Sequence, residues 1–157
     1  MRIAIIDYED AYADETVAMW KASKERALGF NDASVRYLQY LRTGLVVTNK
    51  VYLALDSDAN KVVGIMATDG HELNQLYIDP SYQRTGIGGQ LLDLAKRLSP
   101  GRLGTRTFEV NAAAQAFYAK HGFSAIGRDF NECRKLVELI YEWKAPQLAC
   151  QTIGCRD

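Results

Sequence analysis

The chain has 157 residues, of which 48% are hydrophobic, and this is enough for one globular domain with its own apolar core. Its 19 Lys and Arg residues balance its 19 Asp and Glu residues, so it lacks the broad positive field that binds nucleic-acid backbones. No apolar run approaches the ~20 residues that a membrane-spanning helix needs, and the N-terminus has no signal-peptide core. We therefore expect a cytoplasmic protein without nucleic-acid or membrane partners.

The first half of the chain alternates extended and helical patterns. A strand is predicted over 2–7, helices over 14–28 and 32–42, and a hairpin of strands over 50–55 and 61–68. Gly29 and Gly44 follow the two helical patterns and are expected to end them.

The second half continues with elements bounded by proline, glycine and asparagine. A strand is predicted over 72–78, a glycine-rich turn over 83–89, a helix over 87–98, a strand over 105–110, a helix over 112–121 and closing strands over 123–128 and 136–143. Asn111 can cap the short helix. The order β-α-α-β-β-β-α-β-α-β-β predicts a mixed α/β domain over 1–144, with a tail over 145–157.

Three cysteines, Cys133, Cys150 and Cys155, form an odd set without a CxxC motif. Neither His71 nor His121 lies near them in sequence, so no metal site is predicted. We expect all three to be free thiols in a reducing compartment.

The segment Gln83–Gly89, with the sequence QRTGIGG, joins a predicted strand to a predicted helix. The N–H groups in the first turn of a helix lack partners and carry partial positive charge, and glycines let an anion approach them closely. The segment therefore predicts a cradle for a pyrophosphate, with the Arg84 guanidinium at its rim. The structural alternative is a glycine loop that only makes a tight turn.

Two common phosphate-binding motifs do not fit this segment. A P-loop ends in Gly-Lys-Ser/Thr, and a dinucleotide fingerprint needs a third small residue where Leu91 stands. Gln83, Gly86 and Gly88 instead match the pattern Q/R-x-x-G-x-G/A without adjustment.

A second motif, N-x-x-A-x-x-F/L-Y-x-x-x-G-F, follows the predicted fifth strand. Its places are filled by Asn111, Ala114, Phe117, Tyr118, Gly122 and Phe123. With both motifs in this order, the sequence resembles the GNAT superfamily of N-acetyltransferases over about 2–144. The resemblance implies the GNAT fold, acetyl-coenzyme A as co-substrate and an amine as acceptor. Since members often dimerise, a homodimer is one expectation.

The resemblance also implies which residues bind the co-substrate. They are Leu76, Tyr77, Ile78, Gln83, Arg84, Thr85, Gly86, Ile87, Gly88, Gly89, Asn111, Phe117 and Tyr118. In the family, a backbone N–H of the fourth strand donates to the acetyl oxygen, and counting back from the turn points to Leu76. Tyr118 stands where the family places its general acid, because a phenol can protonate the departing thiolate.

The base that removes the amine proton is harder to assign. Glu72 has the same offset from the glycine turn as the base glutamate of one branch of the family, and it is the candidate. Strand alternation predicts that Glu72 shares a face with Leu76 and Ile78. His71 is an alternative because an imidazole titrates near pH ~6.5. Another branch takes its base from the position that Arg106 fills here, so that arrangement does not apply.

Three functional readings remain at this point. The leading one is direct acetyl transfer to a primary amine in a ternary complex, without a covalent enzyme intermediate. The second uses another acyl-coenzyme A or an oxygen acceptor. The third is a coenzyme-A-binding sensor or interaction module that needs neither Tyr118 nor a base.

Overall fold

One mixed sheet runs through the part of the chain that the computed structural model describes, residues 1–31 and 35–146. Its seven strands lie in the order β1-β2-β3-β4-β5-β7-β6. Their bounds are β1 Ile3–Asp7, β2 Lys50–Asp56, β3 Lys61–Thr68, β4 Glu72–Ile78, β5 Arg102–Phe108, β6 Ser124–Asn131 and β7 Leu136–Lys144. All neighbours are antiparallel except β4 and β5, which run parallel.

Helices cover both faces of this sheet. They are α1 Ala13–Leu28, α2 Tyr37–Tyr40, α3 Val46–Thr48, α4 Ile87–Leu98 and α5 Ala112–Lys120. Successive residues of a strand point to opposite faces, and in β3 Ile65 packs with Trp20 of α1 while Met66 packs with Leu91 of α4. We call these two sides of the sheet the α1 face and the α4 face. None of the helices in the described ranges is long and apolar enough to cross a bilayer.

The predicted order of elements is confirmed, but the second helix differs from its prediction. The sequence predicts a helix over 32–42 that Gly44 ends, whereas α2 begins at Tyr37 and helical backbone continues to Thr48. Gly44 lies in a π-helical turn, Leu41–Leu45, between α2 and α3. A Cβ at Gly44 would come within 2.9 Å of the Tyr40 ring, so the glycine serves close packing there and does not stop the helix. Residues 32–34 are outside the described part.

The fifth strand also lies earlier than predicted. The sequence predicts a strand over 105–110, whereas β5 begins at Arg102 and ends at Phe108. Gly101, with φ +101°, leads directly into the strand, and its carbonyl accepts the Ala145 N–H at 2.7 Å. Pairing with β7 then continues from Arg102 to Phe108, so cross-strand hydrogen bonds outweigh the local pattern.

A β-bulge in β4 adds one residue to the strand. Ala67 of β3 lies opposite Gln75, but the next residue, Thr68, lies opposite Leu73. Asn74 is therefore extra, and the two-residue alternation of β4 is interrupted there.

The bulge changes which side chains share a face. Leu73 and Leu76 both pack on the α4 face, although they are an odd number of residues apart. Glu72, next to Leu73, therefore lies on the α1 face. The prediction that Glu72 shares a face with Leu76 and Ile78 is wrong, because alternation does not anticipate the bulge.

Candidate active site

A cleft opens where β4 and β5 diverge. The two strands pair only at Glu72 with Gly104 and at Leu73 with Thr105. Beyond these pairs β4 stays with β3 and β5 stays with β7, so the backbones separate towards their carboxyl ends. The resulting cleft encloses about 60 Å³. Four predicted co-substrate residues line it, namely Leu76, Tyr77, Asn111 and Tyr118.

The backbone of β4 presents N–H groups to this cleft. The N–H of Asp79 donates to the Val63 carbonyl of β3 at 2.8 Å. Hydrogen-bonded pairs recur at every second residue of an antiparallel ladder, so Tyr77 also bonds β3 while Leu76 and Ile78 direct their N–H groups towards β5. Since β5 has already diverged at this level, the Leu76 N–H faces the cleft.

The glycine turn lies just beyond the end of β4, at the open end of the cleft. Gly86, with φ +88°, is the N-cap of α4, and the first helical hydrogen bond runs from the Gln90 N–H to the Gly86 carbonyl at 3.1 Å. The N–H groups of the first turn consequently have no intrahelical acceptor. These N–H groups form the positive end of the helix dipole. Together with the neighbouring Arg84, they suit the binding of an anion.

Side chains of the turn hold its backbone in place. Gln83 donates from Nε2 to the Ile78 carbonyl at 3.2 Å, and Thr85 donates from Oγ1 to the Tyr82 carbonyl. The side chains of Gln83 and Thr85 therefore fix the shape of the turn.

Helix α5 packs against the first turn of α4 at its glycines. A Cβ at Gly88 would lie 3.2 Å from the Phe117 ring, and a Cβ at Gly89 would lie 3.3 Å from the His121 ring. The two rings also contact each other, with centroids 4.5 Å apart. The first turn of α4 therefore has no side chains at Gly88 and Gly89, where the neighbouring rings leave no room for them. Its backbone N–H groups fit the pyrophosphate of coenzyme A.

Tyr118 lies on the α4 face beside the cleft and is buried. Burial raises the pKa of its phenol to about 12. Thr105 donates from Oγ1 to the Leu73 carbonyl at 2.9 Å, at the point where pairing of β4 and β5 ends. The phenol is protonated at neutral pH and can donate a proton into the cleft.

Asn111 caps α5, because its side-chain oxygen accepts the Ala114 N–H at 3.1 Å. It also lines the cleft, so the capping role and a contact with the co-substrate are compatible.

Glu72 does not line the cleft. It is exposed on the α1 face at the paired end of β4, and its carboxylate lies over Gly104. Tyr118 and Glu72 thus flank the same strand junction from opposite faces of the sheet.

The other candidate residues lie outside the cleft or are paired. His71 is exposed in the turn before β4, and its N–H donates to the Asp69 carboxylate at 2.8 Å. Arg106 lines the cleft and forms an ion pair with Asp129 at 3.1 Å. Cys133 is an exposed free thiol, whereas Cys150 and Cys155 are outside the described residues.

A hydrogen bond and an ion pair that the sequence does not predict hold the segment before the glycine turn in place. The Tyr82 hydroxyl donates to the Asp56 carboxylate at 2.7 Å, and the pKa of Asp56 is lowered chiefly by this bond. Asp79 forms an ion pair with Lys61 at 3.2 Å, and the Lys61 ammonium lies 5.5 Å from the centre of the Tyr82 ring. These contacts join the turn to the β2–β3 hairpin, which only the folded register brings near.

A larger groove, of about 340 Å³, lies at the other end of the sheet. Asn49, Lys50, Asp69 and Leu98 are among its lining residues. It contains neither a helix N-terminus nor any of the predicted site residues, so we place the site in the smaller cleft.

Comparison with known proteins finds relatives of this chain in sequence and in fold. The family profile of the acetyltransferase (GNAT) domain matches residues 48–125. The peptidyl-lysine N-acetyltransferase YjaB of Salmonella typhimurium is 32% identical over 133 residues, which cover 82% of this chain and 90% of that protein. The solution structure of apo YjaB from Escherichia coli is 26% identical, with a TM-score of 0.74, over 93% of this chain and 100% of that one.

A more distant neighbour was solved with coenzyme A. It is the PaiA N-acetyltransferase of Thermoplasma acidophilum, which is 17% identical over 92% of this chain and 99% of that one. Its TM-score of 0.71 shows a shared fold.

Proposed function

Because the chain belongs to the GNAT family of acetyltransferases, whose co-substrate is acetyl-coenzyme A, we propose that it acetylates a primary amine by direct attack in a ternary complex. The observation that carries this proposal is the cleft itself. The free Leu76 N–H, the Tyr118 phenol and the bare first turn of α4 all border it or open onto it.

In this proposal the glycine turn binds the pyrophosphate, and the pantetheine arm follows the open edge of β4. The Leu76 N–H donates to the acetyl oxygen and stabilises the negative charge that develops there.

Two side chains of the protein then carry out the proton transfers of the reaction. A lysine-like ammonium has a pKa of ~10.4, so it must lose a proton before the nitrogen can attack. Glu72 accepts that proton, directly or through water, and Tyr118 donates one to the sulfur. Acetyl-coenzyme A supplies the acetyl group, and its C–S bond breaks as the N–C bond forms. The nitrogen gives up two protons and the sulfur receives one, so one proton is released to solvent.

We propose a peptidyl lysine as the acceptor. Both curated relatives carry the name peptidyl-lysine N-acetyltransferase, and they cover 82% of this chain at 32% and 30% identity. On the α1 face next to Glu72, Arg102 and Arg106 of β5 are exposed, and a peptide can approach the strand junction from this side.

The test is acetyl-coenzyme A turnover with two matched peptides. One carries a single lysine and a blocked N-terminus, and the other has a free N-terminus and no lysine. The proposal expects coenzyme A release and acetylated product with the lysine peptide. Release with the second peptide alone would contradict the lysine assignment, and binding of acetyl-coenzyme A without turnover on any amine would favour a binding module.

A further inference from the structure

Gly104 is the residue of β5 that lies opposite Glu72. A Cβ placed on Gly104 would lie 2.9 Å from Cδ and 3.1 Å from Oε1 of Glu72, and closer still to Oε2. Carbon and oxygen atoms do not approach so closely without a bond, so the carboxylate occupies the space that any other residue at 104 would fill.

The Glu72 carboxylate occupies the space that the missing side chain of Gly104 leaves open. Among the described residues it forms no hydrogen bond or ion pair, although the backbone N–H of Glu72 donates to Asp69. The neighbouring carboxylate is different, since Glu142 of β7 lies opposite Gly104 on the other side and is paired with Arg102. Glu72 is thus the carboxylate at this junction that is left open to an incoming ammonium group.

Consecutive residues of β5 serve the two faces of the junction. The Thr105 side chain lines the cleft together with Tyr118 on the α4 face, and Gly104 leaves room for Glu72 on the α1 face. An amine approaching over Gly104 would meet the carboxylate first and then the apex of the cleft. The base and the acid are therefore separated by the sheet itself and cannot neutralise each other by direct proton exchange.

From this geometry we infer that Gly104 is a positioning residue, which seats the Glu72 carboxylate over the junction of β4 and β5 for proton removal from the acceptor amine. This inference rests on the proposed function, because it takes Glu72 as the base. Gly104 touches no reacting atom and acts only through Glu72.

The test is a double-mutant cycle with Gly104→Ala and Glu72→Ala. The Gly104 variant pushes the carboxylate away, so we expect kcat to fall by about 10²-fold, as on loss of a base. Glu72→Ala should cause a similar loss, and the double variant should be no slower than either single one. The pH dependence of kcat should move in Gly104→Ala in the same direction as in Glu72→Gln.

A second double-mutant cycle measures the melting temperatures of the same variants and does not depend on activity. The change in melting temperature caused by Gly104→Ala should be less favourable in the presence of Glu72 than in the Glu72→Ala background, where the methyl group has room. Gly127→Ala is the matched control, because its Cβ would meet Ile140 at an ordinary 3.4 Å. The affinity for acetyl-coenzyme A should be unchanged in all these variants.

Failure of the inference and failure of the proposed function give different results. If Glu72→Gln retains full activity, Glu72 is not the base and the proposed function loses that role. If Glu72→Gln is slow but Gly104→Ala matches the wild type in kcat, the positioning inference is overturned while the proposed base stands. Additive losses in both cycles would also overturn it.

Discussion

The ring of Phe117 on α5 lies against Gly88 in the first turn of α4, where a Cβ would come within 3.2 Å of the ring. A methyl group at this position would push against the ring and shift the first turn of α4, whose backbone is proposed to bind the pyrophosphate. We predict that Gly88→Ala weakens the binding of acetyl-coenzyme A by about tenfold, or ~1.4 kcal/mol. Calorimetric titration measures this directly.

The control for this prediction is Gly127→Ala, in a sheet strand away from the turn. It should bind acetyl-coenzyme A like the wild type. Unchanged affinity in Gly88→Ala would mean that the first turn of α4 does not contact the co-substrate.

Tyr118→Phe tests the proposed acid. We predict that kcat falls by about 10²-fold while the dissociation constant for acetyl-coenzyme A stays the same, because only the proton donor is lost. Thr105 keeps its bond to the Leu73 carbonyl, so the free energy of unfolding should change by no more than ~1 kcal/mol. Tyr141→Phe is the matched control, since Tyr141 is equally buried and its ring centre lies 5.9 Å from that of Tyr118. Equal kinetics in the two variants would remove Tyr118 from the mechanism.

The pKa of Tyr118 leads to a prediction about the alkaline side of the rate profile. An unperturbed phenol has a pKa of about 10, whereas burial raises that of Tyr118 to about 12. The acid therefore stays protonated at pH values where an ordinary tyrosine ionises. We predict that kcat at saturating peptide shows no decline centred near pH ~10. A decline there that disappears in Tyr118→Phe would contradict the buried, protonated acid.

The hydrogen bond between Asp56 and Tyr82 predicts how the free energy of unfolding depends on pH. The folded pKa of Asp56 is lowered, chiefly by this hydrogen bond, so its stabilisation is present above the unfolded pKa of ~3.9 and is lost as pH falls through the folded value. Tyr82→Phe should lower the free energy of unfolding at neutral pH, and the difference from wild type should shrink below pH ~4. Urea unfolding at several pH values measures this, and a difference that does not depend on pH would contradict it.

Much of the fold follows from local patterns in the sequence. Segments rich in Val, Leu, Ile and Ala on either side of a turn are enough to predict β2 and β3, and Gly29 ends α1 in a left-handed conformation as expected. The glycine turn is predictable because its residues serve backbone geometry, which depends little on distant contacts. Its position between β4 and α4 is as predicted.

Features that depend on register are not predictable in this way. The bulge at Asn74 arises from pairing with β3, and it moves Glu72 to the other face of the sheet. The contact between Glu72 and Gly104 joins two strands whose pairing the sequence does not reveal. The Asp56–Tyr82 hydrogen bond spans 26 positions for the same reason.

The central claim is that the cleft between β4 and β5, with the glycine turn at its open end, is the site of acetyl-coenzyme A. The most direct test is to follow the backbone amide NMR signals of the wild-type protein during titration with acetyl-coenzyme A. The account predicts that the largest changes fall on Leu76 and on the amides of Gly86–Gly89. Changes centred instead on the groove around Asn49 and Asp69, with these amides unmoved, would contradict it.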